Sequence, residues 1–192
     1  MQQENAIVVG IVADLDDPAR LGRVRVTYPN YDDQLSNWAR VAAPMAGKKR
    51  GFRFTPEVGD EVLVVHEQGD KRRPYVMGGL WSSADEPATD DGDPAANNWR
   101  FIVSRSGHLV KLDDTAGAEK VEIIDQSGML RVVLDSSGPK IEVTASTGDI
   151  DLKAPSGTVT IDAATVRIKA SASLQIEAGG TLTVKGATVN IN

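Results

Sequence analysis

Four pairs of adjacent aspartates punctuate the sequence: Asp16-Asp17, Asp32-Asp33, Asp90-Asp91 and Asp113-Asp114. Carboxylates held across a cleft can share general acid and general base work. Adjacent ones beside Pro, Asn, Gly or Thr read as turn formers, because a short acidic side chain bonds nearby backbone. The two histidines are His66, ending an apolar run, and His108, beside Gly107. Either imidazole could serve as a base, yet no Gly-x-Ser-x-Gly nucleophile accompanies them. The chain has no cysteine, which removes thiolate nucleophiles, disulfides and thiolate zinc sites. It also has no P-loop and no Gly-x-Gly-x-x-Gly sequence, so nucleotide hydrolysis has no support. These residues point to no enzyme, no catalytic set, no cofactor and no metal.

What remains is architecture. At 41% hydrophobic and 25% charged residues, the 192-residue chain falls in the soluble globular range. Its longest apolar run, Ala6–Ala13, contains Gly10 and is far shorter than the ~20 residues of a membrane helix. The first five residues, Met1-Gln2-Gln3-Glu4-Asn5, lack the basic segment of a secretory signal. The net charge of −6 disfavours nucleic acid as the main ligand, since phosphate binding needs a basic surface.

All nine aromatics lie at or before Phe101, and the last 91 residues contain none. A domain of that size ordinarily uses several, because aromatics bury large areas. The chain therefore changes character near residue 100. Residues 82–97 are acidic, contain Pro87 and Pro94, and hold no large apolar side chain, as expected of a linker. Three segments follow: a domain over 1–81, a linker over 82–97 and a second domain over 98–192.

The first domain reads as short strands between turns. Arg23–Tyr28 alternates with period two, the pattern of a half-buried strand. Ala6–Ala13, Trp38–Ala43, Glu61–His66 and Pro74–Leu80 supply four more, separated by turns such as Pro56-Glu57-Val58-Gly59-Asp60. Five strands without a helical period predict a five-stranded barrel of the OB type. Such barrels often bind oligonucleotides or oligosaccharides, and a nucleic-acid or glycan module on a β-solenoid stalk is the alternative reading. Two basic clusters fall in expected loops: Lys48, Lys49, Arg50 and Arg53, and Lys71, Arg72 and Arg73. They read either as solvated loop charge or as a contact with an acidic partner. The aromatics are scattered along the chain, so no stacking platform for single strands is evident.

The second domain is a repeat. Aliphatic pairs recur at Ile141/Val143, Ile150/Leu152, Val159/Ile161, Val166/Ile168, Leu174/Ile176, Leu182/Val184 and Val189/Ile191. Six of the seven are followed by Ala or Gly two residues on; the seventh stops at Asn192. Their spacings are 9, 9, 7, 8, 8 and 7 residues, a mean of eight. Looser rungs precede them at Val110/Leu112, Val121/Ile123 and Leu130–Leu134, with Gly107, Gly117, Gly128 and Gly138 in the turns. A fixed short period means stacked repeats. Each rung offers a narrow aliphatic inner edge and a polar outer one. Such rungs hardly close a dry core alone. Three chains wound together bury all three inner edges, which predicts an intertwined, triple-stranded β-helix. About ten rungs spaced ~4.8 Å apart give a stiff shaft roughly 48 Å tall. A single-chain solenoid is the competing arrangement. The final rung presents an open edge, which invites further pairing and predicts a cover.

Residues 7–80 resemble the OB domain of the central spike proteins of contractile phage tails. These are the baseplate assembly protein V family, related to the valine–glycine repeat spikes of type VI secretion. The resemblance rests on Asp17-Pro18 with Leu21–Val26, Trp38–Ala42, Pro56–Val64, and Gly69-Asp70 with Pro74–Gly78. Ser106-Gly107-His108 and Leu112-Asp113-Asp114 are similar to the entry into the spike shaft. The resemblance implies a homotrimer at the centre of a baseplate, in a virion or tail-like particle assembled in the bacterial cytoplasm. The barrel would face a hub protein, with the two basic clusters as contacts. The shaft would pierce the outer membrane when the sheath contracts. The relatives' inserted lysozyme has no room in the linker, and the His-x-His iron tip has no counterpart. The blunt end instead resembles spikes that carry a separate PAAR-type tip protein, docked here on Val189, Asn190, Ile191 and Asn192.

Overall fold

The computed structural model describes residues 6–88 and 94–190. Thirteen strands and two short 3-10 turns make up its regular structure. In chain order the first eight strands are β1 (Ile7–Asp14), β2 (Arg25–Tyr28), β3 (Gln34–Leu35), β4 (Arg40–Val41), β5 (Ala46–Gly47), β6 (Arg50–Gly51), β7 (Glu61–His66) and β8 (Pro74–Gly79). Then come β9 (Trp99–Val103), β10 (Leu109–Asp113), β11 (Lys120–Ile124), β12 (Leu130–Asp135) and β13 (Lys140–Ala145).

The first sheet runs β3-β2-β1-β7-β8-β4. Its neighbours are antiparallel except β4 and β8, which run parallel. A bridge between Val24 and Ala39, with hydrogen bonds of 3.0 and 2.8 Å, ties the β2 side back to the β4 side. That bridge closes the sheet on itself and produces the connectivity of a five-stranded OB barrel. Alternation explains the core. Val8 and Val12 of β1, Val26 and Tyr28 of β2, and Val62 and Val64 of β7 point inward, with Val24, Ala39 and Val76. Gly10 lies in the same inward row. A Cβ there would sit 3.0–3.1 Å from the side chains of Val26 and Val64, so glycine lets three strands close tightly. Asp17 ties the turn after β1. It accepts backbone hydrogen bonds from Ala19, Leu21 and Arg23, and its carboxylate pairs with the Arg23 guanidinium at 2.6 Å.

Four of the expected strands keep their places, and Glu61–His66 keeps its ends. The expected strand over Trp38–Ala43 shortens to two residues, since only Arg40 and Val41 pair with β8. The loop expected around Lys48–Arg50 is instead a two-stranded hairpin, β5 with β6. Its glycines and cations gave no alternating apolar signal to read.

The second sheet is a five-stranded antiparallel meander in the order β13-β12-β11-β10-β9. The residues read as looser rungs are therefore hairpin strands paired within one chain. Their turns use left-handed glycines, Gly117 at φ +77° and Gly128 at φ +72°, which a side chain would strain. Asp125 closes one turn by accepting from the Ser127 hydroxyl at 2.6 Å and the Leu130 N–H at 2.8 Å. Asp135 closes the next through the Ser137 hydroxyl and the Gly138 N–H.

Residues 150–190 lie outside the strands, although the octads predict rungs there. A strand is defined by its ladder partner, and the eight-residue steps of one chain do not pair with one another. Ile191 and Asn192 of the last rung, and 89–93 of the linker, lie outside the described residues.

Candidate functional site

The meander has two unlike faces. Because the ladder keeps strict register, side chains line up across it in rows. On one face Ile102, Val110, Ile123, Val132 and Val143 form a single row, each opposite the next. Beside it Leu112, Val121, Leu134 and Ile141 form a second. Except for the partly buried Val132, these side chains are 37–75% exposed in the single chain.

The other face carries the charges. Lys111, Asp113 and Glu122 are all buried there. The Lys111 Nζ donates to Glu122 at 2.7 Å and lies 3.5 Å from Asp113, with the Trp99 ring centroid 3.8 Å away. Arg131 pairs with the other Glu122 oxygen at 2.8 Å, and the Lys120 ammonium lies 3.7 Å from the carboxylate. Burial alone would oppose ionisation of Glu122, but Lys111, Lys120 and Arg131 outweigh it and hold its carboxyl below its ordinary value. Asp113 follows the same logic: burial opposes its charge, and Thr115 and Lys111 more than offset that. A soluble two-layer sheet normally buries its aliphatic face and wets the polar one. Here the charged side is sealed by its own long side chains, and the aliphatic side is bare.

The aliphatic surface continues along the chain. Ile150, Leu152, Val159, Ile161, Val166, Ile168, Leu174, Ile176, Leu182, Val184 and Val189 are 51–76% exposed. Ile141 and Val143, read as the first octad, belong to β13 of the meander. Val189 and Asn190, expected to dock a tip protein, are exposed.

The two basic clusters differ. Arg72 forms a two-point pair with Asp70, and Arg73 lies 3.5 Å from Glu67, so the second cluster is partly neutralised in place. Asp70 is held at about 2, chiefly by the Arg72 guanidinium. Lys48, Lys49, Arg50 and Arg53 have no ion-pair partner among the described residues. Lys49, Arg50 and Arg53 line one pocket with two phenylalanines, Phe52 and Phe54. Phe52 and Phe54 stack with centroids 6.5 Å apart and planes 19° apart. Both are more than half exposed, next to exposed Met45 and Leu21. The signal that could have found them was their i, i+2 spacing between cations.

His66 is buried, with Nε2 3.1 Å from the Tyr28 hydroxyl and Nδ1 unpartnered among the described residues. The His108 Nδ1 accepts from the Gln126 N–H at 3.1 Å and links the β9–β10 turn to the β11–β12 turn. Asp32 and Asp33 are left-handed turn residues, Asp114 pairs with Arg100, and Asp90 and Asp91 lie outside the described residues. Among the described residues no group of three or more His, Asp or Glu side chains could hold a metal.

Residues 8–81 match the family of the type VI secretion system and phage-baseplate injector OB domain. The chain is 37% identical over 127 residues to the type VI secretion system spike protein VgrG4b of Pseudomonas aeruginosa, covering 62% of this chain and 16% of that one. It is 36% identical over 85 residues to the spike protein VgrG5 of the same organism, covering 42% and 11%. The actin cross-linking toxin VgrG1 of Vibrio cholerae is 34% identical over 71 residues, covering 34% of this chain and 6% of the toxin. The chain thus spans a sixth or less of these relatives' length. The barrel topology and these likenesses agree: residues 8–81 match the injector OB domain, and the chain is related over that part to the phage-baseplate and type VI secretion spike proteins.

Proposed function

We propose that the protein is the structural central spike of a contractile phage tail or related injection particle, acting as an intertwined homotrimer. The carrying observation is the bare aliphatic face of the meander, continued by the exposed octad aliphatics. An exposed apolar surface of this extent marks an interface. Three copies would turn their rows toward a common axis and leave the charged faces outward. The octads of three chains would supply one another the ladder partners that a single chain lacks, forming a triple-stranded β-helix over the C-terminal half. Stiffness follows, because nearly every backbone group would then be paired between chains.

In this reading the domains are the barrel over 1–81, the linker over 82–97 and the shaft over 98–192. The barrel faces a baseplate hub protein; of the two basic clusters expected to contact it, Lys48, Lys49, Arg50 with Arg53 and Lys71, Arg72 with Arg73, the second keeps that role in this reading. The shaft's far end at Val189–Asn192 carries a PAAR-type tip protein. On sheath contraction the assembly pierces the target's outer membrane, a task that needs rigidity rather than bond chemistry. It is assembled in the bacterial cytoplasm and sits at the baseplate centre.

Light scattering on the full chain, with boiled and unboiled SDS gels, tests this. A mass of three chains and an SDS-resistant band that dissociates on boiling are expected, since an intertwined shaft unfolds slowly. A monomer overturns the reading. Truncation after Gly186 should then abolish binding of a PAAR-type tip and leave the trimer intact.

A further inference from the structure

Two exposed patches, one on the barrel and one where the barrel meets the linker, complement each other. One is the β5–β6 hairpin and its exit, where Phe52, Phe54 and Met45 sit among Lys48, Lys49, Arg50 and Arg53, which have no ion-pair partner among the described residues. The stretch 44–56 contains four cations and no acid, in a chain whose net charge is −6. The other is a pocket at the end of β8, lined by Asp60, Glu61, Asp85 and Glu86 around Trp81. Trp81 is 76% exposed, among the barest large side chains in the protein. One patch is aromatic and cationic, the other aromatic and anionic. No ion pair joins them within the described residues, and they share no lining residue.

We propose that the basic hairpin of one copy docks into the acidic Trp81 pocket of the next copy. This inference rests on the homotrimer reading above. Each copy offers one hairpin and one pocket, so the contact is head-to-tail, and a threefold rotation closes it into a ring of three identical contacts. Arg and Lys beside an aromatic ring gain cation–π attraction as well as charge pairing. Phe and Trp burial supplies the apolar centre, with the charged groups as its rim. The ring would lock the three barrels in one register above the shaft, giving the hub a single rigid face. A nucleic-acid strand on the same hairpin is disfavoured, because the acidic pocket and the net negative charge repel it.

The chain has no cysteine, so introduced thiols report cleanly. Arg53→Cys and Ser83→Cys are combined in the full chain and treated with a short bis-maleimide. On a boiled SDS gel a ring of docked copies gives covalent dimer and trimer bands. Adding Lys48→Glu and Lys49→Glu should abolish these bands, and adding Asp85→Lys and Glu86→Lys should restore them. Light scattering on the same samples separates the two readings. A three-chain mass without covalent dimer or trimer overturns the docking and leaves the trimer standing; a one-chain mass overturns both. Cross-linking confined to single chains also overturns the docking, as does equally strong cross-linking after the Glu substitutions. Salt-dependent capture of a single-stranded oligonucleotide by the hairpin, with no intersubunit bands, would reassign the patch to nucleic acid.

Discussion

The Lys111 ammonium donates to the Glu122 carboxylate at 2.7 Å with both side chains buried, on the one face of the meander that carries the charges. Directly behind them Val110 and Ile123, also paired across the ladder, stand exposed. An antiparallel sheet alternates its faces strictly, so a charged row on one side fixes an aliphatic row on the other. The buried pair is therefore a register device as well as an ion pair. A slip by one residue would put Lys111 on the aliphatic face and a valine among the acids.

That arrangement sets unequal costs for its two members. Glu122→Ala leaves Lys111 buried with Asp113, at 3.5 Å, as its remaining acidic partner among the described residues. Breaking a buried pair from one side costs roughly 3–5 kcal/mol, so about 3 kcal/mol is expected here, discounted for the partial exposure of Arg131 and Lys120. Lys111→Met should cost less, because Glu122 keeps Arg131 and Lys120 as partners. Urea unfolding at fixed protein concentration measures both. Equal losses from the two variants would contradict the asymmetry.

Acid should loosen the meander's turns. The Asp125 carboxyl is held at about 2, first by the Ser127 hydroxyl and then by the backbone N–H groups of Leu130 and Ser127. In the unfolded chain an aspartate titrates near 3.9. A depressed folded-state value means that the stabilisation is fully present above about pH 4 and is lost as the pH falls through about 2. Asp125→Ala should therefore melt at a lower temperature than the parent protein at neutral pH. The gap should close toward about pH 2, where the parent carboxylate is protonated as well. A gap that stays constant across this range would show that Asp125 acts through something other than its charge.

The barrel was legible because its signals are local. Alternation in Arg23–Tyr28 and Glu61–His66, bounded by proline and glycine turns, specifies half-buried strands whatever they pair with. The β5–β6 hairpin was not legible, since Ala46, Gly47, Arg50 and Gly51 carry no apolar period. The aliphatic positions of the octads, Ile150 and Leu152 onward, were legible because aliphatic spacing is a property of the chain. Their ladder partners are not such a property. Val110, Val121 and Leu130 read as rungs from the same spacing, yet Asp113, Asp125 and Asp135 turn them into hairpins through Asp-x-Ser/Thr hydrogen bonds. The Phe52–Phe54 stack escaped for a related reason: i, i+2 residues share a face only where the backbone is extended.

Gly10 tests how tightly the barrel closes. A Cβ there meets Val26 Cγ2 at 3.0 Å and Val64 Cγ2 at 3.1 Å, both from fully buried side chains. Overpacking of this kind costs about 1–3 kcal/mol. Gly10→Ala should lower the barrel's urea midpoint by a corresponding amount, and Val64→Ala in the same chain should recover part of the loss by making room. If the double variant is instead less stable than either single one, the space around Gly10 is not the limiting contact.

The bare aliphatic face gives a sharper separation between folding and assembly. Val143 stands at the edge of the row Ile102–Val110–Ile123–Val132–Val143 and is 56% exposed in one chain. Val143→Asp therefore costs the single chain little, as an exposed substitution usually does. In the proposed trimer the same carboxylate would be buried against aliphatic partners without a counter-ion, which costs several kcal/mol per copy. The expected outcome is a light-scattering mass that falls from three chains toward one. The far-ultraviolet circular dichroism of the barrel and meander should change little. Glu142→Gln, one residue away on the charged face, should leave the mass unchanged. A Val143→Asp protein that keeps the mass of three chains would mean that this face looks to solvent in the assembly, and the three copies would have to meet through the octads alone.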